Sequence, residues 1–154
     1  MNQYIPWRNI LGSKKPDPRQ KDVQLILRIL ALYHDIDNYQ KPLRDFLSKF
    51  MSRNRNPSDE FLKTERLRFE KTCDSLIKYL GEKPFTPRGP LNSAVLDSVF
   101  VAFMKNLGAI PSDINKRFAQ LMANLDFGSS IGQSTTDPEM VHSRLAIAEK
   151  ILFE

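Results

Sequence analysis

Apolar residues recur at every third or fourth position along almost the whole chain, and no segment alternates with period two for long enough to make a strand. That spacing predicts an all-α fold. Prolines and glycines fall between the periodic stretches, where they open or stop helices. Pro6 opens a short helix carrying Trp7, Ile10 and Leu11, and Gly12 stops it. Lys14-Lys15-Pro16-Asp17-Pro18 reads as a stiff basic loop, with Asp17 as cap and Pro18 as first residue of the next helix. That helix holds Val23, Leu25, Ile26, Leu27, Ile29, Leu30, Ala31, Leu32 and Tyr33. It is apolar nearly all round and should be central.

Pro42 opens a helix with the single stripe Leu43, Phe46, Leu47 and Phe50. Pro57, with Asn56 or Ser58 as cap, opens a long one that runs to Gly81 through Leu62, Phe69, Cys73, Leu76, Ile77 and Leu80. Three prolines and a glycine make 82–90 a loop. Residues 91–107 are again broadly apolar and predict a second buried helix. Ile114, Phe118, Leu121, Met122 and Leu125 mark another after Pro111. Residues 126–136 read as a flexible Gly/Ser loop, and Thr136 with Glu139 as a capping box for the last helix. The expected architecture is one domain over 1–154, an orthogonal helical bundle of about six helices with two broadly apolar central ones. Residues 1–20 form its short first helix and basic loop.

Composition narrows the function classes. No run approaches the ~18 apolar residues of a membrane span, and the N-terminal segment has Pro6 and Arg8 where a secretion signal needs an apolar stretch. A cytoplasmic protein is expected. The single cysteine, Cys73, fits a reducing compartment. Net charge is +5, but residues 1–90 carry 18 Lys/Arg against 11 Asp/Glu, whereas residues 91–154 carry 5 against 7. Such asymmetry marks either a nucleic-acid-facing half or an ordinary solvated surface.

Enzymatic patterns fail on their own requirements. His34-Asp35 resembles the adjacent pair of helical metal phosphohydrolases, but His142 is the only other histidine and the ligand set is incomplete. A histidine near a helix C-terminus suits the dipole instead. Asp35, Asp37 and Asn38 resemble a calcium loop, yet Gln40 and Phe46 stand where its glycine and bidentate acid belong. Gly128 to Ser134 is one residue short of a phosphate loop and has Gln133 in place of its lysine. Cys73 lies on an apolar stripe and reads as packing. No catalytic residue, cofactor or metal ligand is assigned. Basic residues cluster as Arg8, Lys14, Lys15, Arg19 and Lys21 around the first loop, Arg53, Arg55 and Lys63 around another, and Lys83 and Arg88 in a third. Of these, Arg8, Lys14, Lys15, Arg19, Arg53, Arg55 and Arg88 are the candidate nucleic-acid contacts.

Several blocks also carry a family likeness. They are Trp7-Arg8-Asn9-Ile10-Leu11-Gly12, Lys14-Lys15-Pro16-Asp17, the run from Asp22 to Tyr33, and Lys41-Pro42-Leu43-Arg44-Asp45-Phe46-Leu47. Tyr79 to Phe85, Asn92 to Val99 and Thr135 to Arg144 complete the series. In order and spacing they resemble the helical half of the GmrSD-type restriction endonuclease N-terminal domain family over nearly the whole chain. In that family a ParB/sulfiredoxin-like nucleotide-binding domain with an Asp-Gly-Gln-Gln-Arg stretch precedes the helical part, and a separate nuclease domain or subunit cuts DNA. The resemblance therefore implies a non-catalytic helical accessory module of a phage-defence restriction protein, with no family catalytic residue at any position here. Such a module would dock on a ParB-like partner, in cis or in trans, through an apolar patch for which Tyr4, Ile5 and Trp7 are the candidates, and would touch DNA. A free-standing DNA-binding module is the alternative, and a His34-Asp35 phosphohydrolase a third.

Overall fold

The computed structural model describes residues 1–86, 89–132 and 134–154. Eight α-helices span them: α1 (Ile5–Leu11), α2 (Lys21–Asp35), α3 (Leu43–Arg53), α4 (Asp59–Leu80), α5 (Ser93–Lys105), α6 (Ile114–Ala123), α7 (Leu125–Gly132) and α8 (Pro138–Phe153). A 3-10 turn at Ile36–Asn38 follows α2, and no strand occurs among the described residues. The all-helical bundle expected from periodicity is present, with eight helices rather than about six.

Several boundaries follow directly from side-chain chemistry. Gly12 adopts φ 67°, the left-handed geometry that ends α1 after Leu11. The Ser58 hydroxyl accepts the Phe61 amide at the start of α4, and Gly81 ends that helix. Asn92 caps α5 by accepting the amides of Ala94 and Val95.

Other boundaries differ from the sequence expectation. The segment 126–136 is not a loop through its length, because α7 occupies Leu125–Gly132. The Asn124 side chain accepts the Phe127 amide at 2.8 Å, Phe127 is fully buried, and the hydroxyls of Ser129 and Ser130 donate to carbonyls one turn back. Burial of Phe127 outweighs the poor helix propensity of the Gly/Ser stretch. Helix α2 begins at Lys21, not at Pro18, because Asp17 closes a turn in which its carbonyl accepts the Gln20 amide. The Thr136–Glu139 capping box is absent. Asp137 stands at the cap with Pro138 at the first position, and the Thr136 carbonyl accepts the Tyr39 hydroxyl.

Of the two helices expected to be central, only α5 is. Every residue from Ala94 to Met104 is buried, and the helix packs on α2, α4 and α8. In α2, Ile26, Ile29, Ala31 and Leu32 face the core while Leu25, Leu27, Leu30 and Tyr33 are only half-buried and Val23 is exposed. Aromatic rings join α1, α4 and α5. Trp7 meets Phe69 edge-on at 5.3 Å and Phe100 at 5.9 Å, and Phe69 stacks on Phe100 at 5.2 Å.

Asp97 on α5 is 0% exposed, and two arginines reach it. Arg28 of α2 donates to its Oδ2, and the Nη2 of Arg144 of α8 lies 3.7 Å from the same oxygen. Arg144 is itself buried and donates to the Thr135 carbonyl at 2.5 Å. Burial pushes the Asp97 carboxyl up and the Arg144 guanidinium down, and each charge counteracts the shift of the other. Removing the carboxylate leaves two guanidiniums without their counterion. Asp97→Ala is expected to lower unfolding stability by about 3–5 kcal/mol, read as a shift in the urea midpoint; an unchanged midpoint would show that the cluster contributes nothing.

Candidate functional site

The segment joining α1 to α2 is shaped from inside by one arginine. Arg8 is only 7% exposed. Its Nε donates to the Ser13 carbonyl at 2.7 Å, its Nη2 to the Lys15 carbonyl, and its Nη1 pairs with Asp22 at 2.6 Å. Asp22 also accepts the Asp17 amide at 2.9 Å. Burial pushes the Asp22 carboxyl up, but the Asp17 amide and the Arg8 guanidinium outweigh it and hold it below its ordinary 3.8. The Asp17 carboxylate turns back to accept the Arg19 amide at 2.7 Å.

Both acids of the segment are thus held by its own backbone or core, while its remaining cations point outward. Lys14, Lys15, Arg19 and Lys21 are all exposed and form no salt bridge among the described residues. The structure corrects one of the expected contacts. Arg8 is an internal strut of the loop and not part of its surface. Arg88 lies outside the described residues.

A second locus lies between α2, α3 and the start of α4. A cavity of about 350 Å³ is lined by Leu27, Leu30, Phe50, Met51, Phe61 and Leu62, together with His34, Asn54 and Pro57. Met51 and Leu62 on its rim are 51% and 50% exposed. His34 lies 5.6 Å from Phe61 and stacks near Phe50, and its Nε2 is 2.9 Å from Glu65 Oε2. A smaller polar recess adjoins it, sharing His34, Phe50, Asn54 and Phe61 and adding Asp35 and Arg53. Arg53 is bound twice by the Asp35 carboxylate, whereas Arg55 is exposed and free of salt bridges among the described residues.

His34-Asp35 therefore does not gather a ligand set. Asp35 faces Arg53, and among the described residues no group of three or more His, Cys, Asp or Glu side chains converges as a metal site would require. Cys73 is fully buried, and burial pushes its thiol up, away from the reactive thiolate.

The expected docking patch is divided. Trp7 is fully buried in the aromatic core and is removed from the candidate surface. Ile5 is 72% exposed, and the Tyr4 hydroxyl donates to Asp74 at 2.8 Å. Partial burial and that carboxylate push the Tyr4 hydroxyl up to about 12. Sequence reasoning did not single out the cavity, although Val23, Leu27, Leu30 and His34 form a stripe on α2 beyond the one its core face needs. Nothing near Lys83 in the sequence signals that its amide donates to the Asn9 carbonyl of α1.

No helix among the described residues is long and apolar enough to cross a membrane. The chain matches no protein-family model, no curated protein and no solved structure.

The depressed Asp22 value has a definite pH signature. A carboxyl held below its unfolded value contributes stability that is complete above the unfolded value and is lost as pH falls through the folded one. Asp22→Asn should be less stable than the parent at neutral pH, and the difference should shrink as pH drops below about 4. Urea midpoints recorded from neutral to acid pH check this, and a difference independent of pH would refute the ion pair.

Proposed function

We propose that this chain is a non-catalytic helical accessory module of a GmrSD-type, phage-defence restriction protein, which docks on a ParB-like nucleotide-binding domain and meets DNA through its first loop. The observation that carries the docking reading is the apolar cavity between α2, α3 and α4. Soluble surfaces seldom expose a contiguous apolar concavity without a partner for it. Here a half-open cavity has two large, half-exposed side chains on its rim, Met51 and Leu62. Methionine on such a rim adapts to the shape of what it meets. Ile5 is a separate exposed apolar residue that shares a surface recess with Tyr4, Met1 and Arg66.

The family resemblance supplies the occupant, a ParB-like domain. It also explains why a module can lack a catalytic set of its own: nucleotide handling and cleavage belong to other domains. The first loop supports the DNA contact, because its lysines are exposed while Asp22 at its end is buried on Arg8 and Asp17 accepts the Arg19 amide. A free-standing DNA-binding module is the second reading, favoured by the same loop.

Mixing the chain with a ParB-like domain from its own genomic neighbourhood tests the first reading. Size-exclusion chromatography with light scattering should show a stable complex. Met51→Glu and Leu62→Glu alter exposed positions, so the fold should persist while affinity falls at least about ten-fold. Absence of a complex with the unaltered chain refutes docking and leaves the free-standing reading; a complex indifferent to both substitutions places docking elsewhere.

A further inference from the structure

We infer that the DNA-contacting surface is built from two loops that are distant in sequence, with Lys83 seated against Gly12 so that it joins Lys14, Lys15, Arg19 and Lys21 on one sequence-indifferent phosphate-binding face. This rests on the DNA-contacting part of the function proposed above and adds its composition and ligand chemistry.

The two loops are physically joined. The Lys83 amide donates to the Asn9 carbonyl at 3.3 Å, so the segment after α4 is tied to the last turn of α1. The Lys83 stem then runs directly over Gly12. A Cβ added at Gly12 would lie 2.8 Å from Lys83 Cε, 3.0 Å from Cδ and 3.1 Å from Cγ. Any side chain at position 12 would push that stem away. Gly12 is also at φ 67°, where glycine is favoured, so its helix-stopping geometry leaves open the space over which the Lys83 stem passes. Lys83 itself holds φ 53°, an uncommon conformation for a lysine, within the turn that brings it there.

The charge on this face is segregated. Lys14, Lys15, Arg19, Lys21 and Lys83 are exposed, and none forms a salt bridge among the described residues. Of the acids on the same segments, Asp22 is buried on Arg8, Asp17 is half-buried and accepts the Arg19 amide, and Glu82 is exposed. The face presents flexible ammonium groups and one guanidinium, with no aromatic side chain exposed among them. Ammonium groups on flexible stems act as point charges, which suits them to phosphate oxygens along a backbone. The ligand this favours is the phosphodiester backbone of a duplex, bound through release of its counterions. Arg8 contributes as a positioning residue, since its guanidinium holds the carbonyls of Ser13 and Lys15 on either side of Lys14.

The test is fluorescence anisotropy of the full chain with a labelled mixed-sequence duplex over a salt series. The unaltered chain should bind at low salt, with affinity falling steeply as salt rises. Lys83→Ala should weaken binding by between about three- and ten-fold at ~0.1 M salt and lower the salt slope by about one, and Lys14→Ala should do the same. Lys116→Ala, on an exposed position of α6, removes the same charge elsewhere and should leave affinity nearly unchanged. If the unaltered chain does not bind the duplex, the DNA reading and this inference fail together. If it binds but Lys83→Ala behaves like Lys116→Ala, only the two-loop surface is overturned.

Discussion

A carboxylate on a helix with no exposed face has to be met by counterions from its neighbours, and Asp97 places that demand at the middle of this fold. Helix α5 is buried from Ala94 to Met104, so water cannot neutralise Asp97. Arg28 arrives from α2 and Arg144 from α8, the two helices that pack most closely on α5. Close packing against α5 already disfavours sliding of α2 and α8, and the shared carboxylate adds a directional demand that each arginine must meet at its own position. Once α2 is fixed, its two ends are fixed as well: the Lys21 end carries the basic loop, and the half with Leu27, Leu30 and His34 carries the apolar cavity.

Local signals in the sequence revealed the elements whose ends are set by local chemistry. Gly12, Gly81 and Ser58 each act on their own helix through a cap or a left-handed backbone, and such effects are visible within a few residues. Helix α7 was hidden for the opposite reason. Its Gly/Ser content argues for a loop, and it is helical because Phe127 and Ser130 are enclosed by helices α6 and α8. Likewise, Asp17-Pro18 has a favourable helix start, but Asp17 is drawn into a turn by Asp22 and, through it, by Arg8. The composition of α2 showed that it is broadly apolar without showing how that apolar surface divides between core and cavity.

The basic residues show the same limit on charge. In the sequence Arg8 is equivalent to Lys14 and Lys15, all part of one cationic stretch. In the fold it is their internal support. A guanidinium has five donors in a fixed plane and can bind several carbonyls and a carboxylate at once, which a lysine ammonium cannot do with the same geometry. Arg8 uses this fork on Ser13, Lys15 and Asp22. Counting charge along the chain therefore overstates this cluster by one, and it also misses Lys83, whose stem passes over Gly12 from some seventy residues away.

The two surfaces of the proposed function occupy different parts of α2. Lys21 and His34 are separated by about 20 Å along the axis at 1.5 Å per residue, so a protein domain seated over Phe50, Met51 and Leu62 need not cover Lys14 or Lys15. Their physical demands also differ. Docking in the apolar cavity depends on removing Met51 and Leu62 from water and is little affected by salt, whereas the loop acts through screened charges. With the two surfaces of the proposal arranged in this way, the module would keep a protein partner while its hold on nucleic acid varied with ionic conditions, and α2 would set the spacing of the two contacts.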